Sequence, residues 1–171
     1  MTQAFRLFFI SLLIFTTQRI NAQSRYFDSV DDVITISSNS TQWSTTWING
    51  FTVECWFKMH EQCPQFAAIV STRYNLPGDS NWILRHEGTG RIAFYVHNYS
   101  VSIISTGDYR DKKWHFVAIT LNRAAIGGIQ KLYIDDKLIG SVALLANPTA
   151  NASPIFIGRE VVTGGAFFKG W

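Results

Sequence analysis

Long apolar runs, charge of one sign, cysteine and helical periodicity are all scarce in this chain. The apolar run at the N-terminus, Leu7 to Phe15, is too short to cross a bilayer, which takes about 20 residues. Charged residues are only 16% of the chain, and 15 Lys and Arg face 12 Asp and Glu. Setting aside Arg6 and Arg19 of the leader leaves 13 minus 12, or +1, with no basic block or stripe. That excludes nucleic acid as the expected partner. Cysteine occurs twice, at Cys55 and Cys63, so at most one disulfide is available. Beyond the leader, no helix-length stretch carries apolar residues at a 3.6 period, which excludes a helical domain.

What is present begins with that leader. "MTQAFRLFFISLLIFTTQRINAQS" begins with one Arg before an apolar centre, then turns polar and ends near the small residue Ala22. This is the order of a secretory signal peptide over residues 1–22, and an uncleaved anchor is the other reading of the same run. Cleavage after Ala22 leaves 171 minus 22, or 149 residues, which suits one domain over 23–171 with no membrane span of its own. The expected location is secreted or on the outer cell surface. In that oxidising compartment Cys55 and Cys63 are expected to form a disulfide; two separate thiols, one buried in a strand, are the plain alternative. The triplets starting at Asn39, Asn98 and Asn151 are acceptors for N-glycans in a host that makes them.

Apolar residues reach 47% and aromatics 15%, enough for a packed core. Short runs rich in β-branched and aromatic residues predict strands at 33–37, 51–59, 65–73, 81–86, 91–97, 101–106, 114–122, 130–135, 137–145 and 154–158. Gly, Pro, Asn and Asp punctuate them. "YIDDKLIG" puts Asp135 and Asp136 where a two-residue hairpin turn belongs, and "EGTGR" turns one strand into the next. The fold class expected is all-β, an antiparallel two-sheet jelly-roll sandwich. In "DKKWHFVAITLN" alternation gives Trp114, Phe116, Ala118 and Thr120 one face, and His115, Val117, Ile119 and Leu121 the other. Both faces are mostly apolar, so His115 reads as a half-buried packing residue. No nucleophile accompanies it in the sequence, as catalysis would require.

In order, "YFDSVDDVITIS", "FTVECWFKM", "IVSTR", "KKWHFVAITLN", "KLYIDDKLIGSV", "IFIGRE" and "FKGW" resemble the laminin-G-like domains of the concanavalin A-like lectin/glucanase superfamily. The resemblance covers Tyr26 to Trp171. It implies a jelly roll of two antiparallel sheets, one of them concave, in which the Trp-His pair belongs to the frame. It leaves function open, because this fold serves lectins, adhesion modules, pentraxin-like proteins and glycosidases. Ser29 and Asp136 stand where such domains often have Gly. The family pattern continues after "FKGW" into an acidic-apolar strand. The expectation is therefore a C-terminally incomplete domain, completed by a longer parent chain or by a partner that supplies a strand.

Glycosidases of the superfamily carry carboxylates at alternate positions of one strand, flanking the scissile bond. Here Glu54 is the only acid in "FTVECWFKM", and the runs 81–86 and 91–97 have none. The resemblance thus implies a domain without catalytic residues. Cys55, His60 and Cys63 are too few for a structural zinc site, which usually takes four ligands. "GTGRIAF" opens a strand and not a helix, so it lacks the N-terminus that would hold phosphate. Asp28, Asp31 and Asp32 cluster at the first turn. Their oxygens suit calcium, which relatives bind at a rim site, and the alternative is a solvated acidic turn.

The amphipathic run "RIAFYVHNY" directs Ile92, Phe94 and Val96 to one face and Arg91, Tyr95 and His97 to the other. Rings beside hydrogen-bonding groups can stack on a sugar or clasp a peptide. Trp82 and Arg85 of the preceding run complete the candidate ligand-binding set; an ordinary solvent-facing strand surface is the alternative. The function expected is a non-catalytic extracellular recognition module for glycan or protein, with adhesion as one use. A glycan-active enzyme, or a structural domain of a larger extracellular protein, is the alternative.

Overall fold

The computed structural model describes residues 23–36, 50–72, 82–96, 101–122, 128–144, 154–160 and 165–171. The leader, the three Asn triplets and His97 lie outside the described residues. Twelve strands run in chain order: β1 (Phe27–Asp28), β2 (Ile34–Ile36), β3 (Phe51–Phe57), β4 (Ala68–Ser71), β5 (Trp82–Glu87) and β6 (Arg91–Val96). Then follow β7 (Val101–Ile104), β8 (His115–Asn122), β9 (Ile129–Ile134), β10 (Lys137–Ala143), β11 (Ile155–Ile157) and β12 (Lys169–Gly170). All ten runs read from the sequence hold a strand. β1 and β12, at two residues each, were too short to show any alternation.

Among the described residues the strands form two main antiparallel sheets and one short pair. The order is β10-β9-β8-β3 in the four-stranded sheet and β2-β11-β4-β5-β6-β7 in the six-stranded sheet; β1 pairs with β12. This is the expected all-β sandwich. The core forms where the period-two patterns meet. Val70, Leu84, Phe94 and Ile103 stand opposite one another in register across four strands of the larger sheet. Val117, Ile119, Leu121, Leu132 and Ile134 of the smaller sheet belong to the same buried cluster. Each such side chain contributes about 1.5–3 kcal/mol on leaving water.

The β9–β10 turn is made by Asp135 and Asp136 with φ of 49° and 63°. Two left-handed residues are what a tight I′ hairpin turn needs, and Asp tolerates the conformation better than most residues without being Gly. Gly170 fixes the other end of the chain. Its φ is 145°, and a Cβ there would strike the Lys58 carbonyl oxygen. That close approach lets residues 169–171 lie against 58–60. Lys58 N–H donates to Trp171 O at 2.8 Å, Trp171 N–H to Lys58 O at 3.0 Å, and His60 N–H to Lys169 O at 3.0 Å.

The expected disulfide is corrected: Cys55 and Cys63 are free thiols. Cys55 sits mid-strand in β3 beside Val53 and Phe57, facing a cleft between the sheets. Cys63 lies beyond the end of that strand, where its Sγ accepts a hydrogen bond from the Lys169 N–H at 3.4 Å. Each sulfur has its own surroundings, and burial raises both thiol pKa values to about 11.

Candidate ligand-binding face

Strand alternation sorts the candidate residues of β5 and β6. Ile92, Phe94 and Val96 enter the core, which leaves Arg91, Ala93 and Tyr95 on the outer face of the six-stranded sheet. Tyr95 stands in register with Ile83, and Arg85 with Ala93, so Arg85 and Tyr95 share that face. Trp82 does not join them, which corrects the sequence reading. It pairs with Val96, is 3% exposed within the core, and its ring lies 5.2 Å from that of Phe51. Period two sends residue 82 to the side opposite 83 and 85. Arg91 stands opposite Glu87 at the end of the hairpin, and its Nε donates to Gly88 O at 3.1 Å.

Arg85 is the hub. Its guanidinium lies over the Phe66 ring at 4.6 Å and over the Tyr95 ring at 4.7 Å. It pairs with Glu87 at 3.0 Å and with Glu160 at 3.4 Å, and its side chain is only 11% exposed. The Tyr95 hydroxyl donates to Glu87 Oε2 at 2.7 Å. Burial, then the adjacent Glu87 carboxylate, raises the Tyr95 pKa. One guanidinium faces two carboxylates here, with two aromatic rings against it. Tyr95 is 9% exposed and packs with Ala68, Ile83 and Ala93, so Phe66, 41% exposed, is the ring of this set that meets solvent.

Phe66, Glu87 and Glu160 were missed in the sequence. Glu87 was legible, because Arg85-His86-Glu87 continues the alternation by one step and puts 85 and 87 on one face. Phe66 and Glu160 carried no such signal. Phe66 has a φ of 66° just before β4, and Glu160 follows β11. Only folding brings them to Arg85.

His86 and His115 have structural surroundings. His86 is buried, its Nδ1 facing Pro64 O at 2.8 Å while Nε2 accepts the Gly90 N–H at 3.1 Å. That is a satisfied neutral imidazole, and burial lowers its pKa. His115 is half-buried against Phe57 and Tyr109, as the alternation predicts.

At the first turn Asp28 and Asp31 are exposed. Asp28 Oδ1 accepts the Val30 N–H at 2.7 Å, and Asp32 Oδ2 accepts the Asp28 N–H at 3.0 Å. Asp32 also pairs with Arg25 at 3.2 Å. Calcium takes six to eight oxygens. Among the described residues no group of three or more His, Cys, Asp or Glu side chains is gathered to hold a metal. Asp28 and Asp32 are thus engaged in the turn's own hydrogen bonds.

The family model Laminin_G_3, described as concanavalin A-like lectin/glucanases superfamily, matches residues 28–171. The chain belongs to this superfamily. A relative from Paraclostridium bifermentans, "Non-toxic nonhemagglutinin", is 24% identical over 119 residues, which is 69% of this chain. The chain spans only 10% of the length of that curated relative. Among solved structures, the Ruminococcus gnavus IT-sialidase CBM40 bound to alpha2,3 sialyllactose superposes with a TM-score of 0.62. It is 12% identical, with 85% of each chain covered. Mouse laminin alpha1 chain, domains LG4-5, gives a TM-score of 0.57 at 15% identity, covering 85% of this chain and 38% of that one. At such identities these likenesses concern the superfamily fold and not a shared ligand. No helix among the described residues is long and apolar enough to cross a membrane.

Proposed function

We propose that this superfamily member is a non-catalytic recognition module that binds glycan on the outer face of its six-stranded sheet. The observation that supports this most is Arg85 held between the Phe66 and Tyr95 rings with Glu87 and Glu160 as acceptors. Sugar rings present C–H faces that stack on aromatics and hydroxyls that donate to carboxylates. The solved neighbour titled as bound to alpha2,3 sialyllactose lends a fold-level analogy and no more. Because the Glu87 carboxylate is engaged by Arg85 and the Tyr95 hydroxyl, its role here is to accept hydrogen bonds and not to attack a glycosidic carbon.

Export belongs to the same proposal: residues 1–22 direct secretion, and the mature chain starts at Gln23. Amino-terminal sequencing of the secreted product reads this directly; Met1 retained there overturns it. For the ligand, a glycan array with neutral and acidic sugars is the first measurement. Phe66→Ala, which truncates the exposed ring, is expected to lower affinity for a bound glycan at least tenfold with the circular dichroism unchanged. Unchanged affinity moves the site off this face. Release of reducing sugar from the bound glycan replaces the proposal with a glycan-active enzyme.

A further inference from the structure

The four-stranded sheet turns one face away from the core. Val53, Val117, Ile119, Leu132 and Ile134 pack on the core side, so the positions between them on β3, β8 and β9 point outward. Register sorts these outward side chains into rows. Trp56 stands opposite Phe116. The next row is Glu54, Ala118, Tyr133 and Leu138, and the row after it is Thr52, Thr120, Lys131 and Ser141.

An apolar band therefore crosses all four strands, from Trp56 and Phe116 over Ala118 to Tyr133 and Leu138. Trp56 is 64% exposed and Leu138 53%, and the Trp56 and Phe116 rings lie 5.4 Å apart. The small Ala118 makes a low point in the middle. Exposed aromatic and aliphatic side chains gathered on one face mark a contact surface. Two charges of opposite sign sit at the margins of the band. Glu54 is on β3, and Lys131 is two strands away on β9, roughly 10 Å across the sheet. Neither makes an ion pair or a hydrogen bond among the described residues.

These positions make the face complementary to itself. Let two such faces meet about a twofold axis that lies between them and bisects the line from Glu54 to Lys131. Each Glu54 then meets the partner's Lys131. The same rotation lays Phe116 over the partner's Leu138 and Tyr133 over the partner's Ala118, where the small side chain leaves room for a ring. A single operation thus exchanges the two charges and the two ends of the band, as an isologous contact requires. That match favours a second copy over an unrelated protein.

We infer that this face binds a second copy of this chain, face to face about a twofold axis, with Glu54 of each copy paired to the partner's Lys131. The inference goes beyond the glycan reading: it concerns the other sheet and does not depend on Arg85 or Phe66.

The test measures sedimentation of the full chain over a hundredfold range of protein concentration. The wild type is expected to pass from monomer to dimer. Glu54→Lys sets lysine against lysine and Lys131→Glu sets glutamate against glutamate, so each is expected to weaken the dimer at least tenfold. An equal mixture of these two variants is expected to recover it, because every contact then joins a lysine to a glutamate. Leu138→Arg breaks the apolar contact and is expected to leave a monomer. Circular dichroism checks the folding of each variant. If a charge variant fails to fold, Leu138→Arg, on the exposed face of β10, decides alone. A wild type that stays monomeric throughout overturns the inference and leaves this face to a different partner. A dimer unmoved by Leu138→Arg, or a mixture that associates no better than its two components, also overturns it.

Discussion

His115 Nδ1 meets Asp135 Oδ2 at 2.7 Å, joining the start of β8 to the β9–β10 turn. Asp135 also accepts the Phe116 N–H through Oδ1 at 3.0 Å, and Asp111 Oδ1 lies 3.0 Å from His115 Nε2. Burial alone would lower the His115 pKa, but hydrogen bonds to Asp135 and Asp111 outweigh it, and the pKa is raised above 6.5. A raised folded pKa means that folding favours the protonated ring. The contribution is complete below about pH 6.5 and fades as pH rises through the folded value. His86 has the opposite sign. Its folded pKa is lowered by burial, so its contribution is complete above about pH 6.5 and is lost as pH falls toward the folded value. His115→Gln is expected to remove the decline above pH 6.5 in a series of denaturant melts and to leave the acid-side decline in place. Because Asp135 is 45% exposed, the loss in Asp135→Asn should stay near about 1 kcal/mol.

Arg85 is expected to be costly to remove. Arg85→Met would leave Glu87 and Glu160 with little solvent around them and without their shared cation. Breaking a buried pair from one side costs about 3–5 kcal/mol. Adding Glu160→Gln removes one of the stranded charges and should restore part of the loss. Thermal melts of the single and double variants measure the coupling; strict additivity would mean that Arg85 and Glu160 do not act on each other.

Gln130 faces the core from β9 at 0% exposure, and neither its amide oxygen nor its amide nitrogen has a hydrogen-bond partner. Its neighbours in register are Leu121 and Val142. An unpaired buried polar group costs about 1–3 kcal/mol. Gln130→Leu keeps the size and removes the penalty, so it should stabilise the protein by that order. A lower melting temperature would show that the amide is satisfied through a bound water.

The two free thiols make a separate prediction. With both thiol pKa values raised to about 11, the folded chain at pH 8 should react slowly with a thiol reagent and the unfolded chain quickly. Intact mass without reductant should show two modifiable cysteines. A mass lower by two hydrogens, with no modification, would restore the disulfide.

The sequence by itself determined the strands and the faces they turn. Alternation through "RIAFYVH" and "WHFVAITLN" grouped Ile92 with Phe94 and Val117 with Ile119 on one face each, because a strand side chain has only two directions to choose from. Asp135 and Asp136 announced the hairpin for an equally local reason, the backbone angles a two-residue turn demands. Tertiary structure alone decided which faces meet and what gathers on them. Phe66 and Glu160 reach Arg85 from positions 19 and 75 residues away, and chain spacing says nothing about such encounters. Trp82 looked like a partner of Tyr95 because both are aromatic and near in sequence, yet the hairpin register sends them to opposite sides. The same limit holds for Cys55 and Cys63, eight residues apart and each held in its own surroundings by strands that close around it.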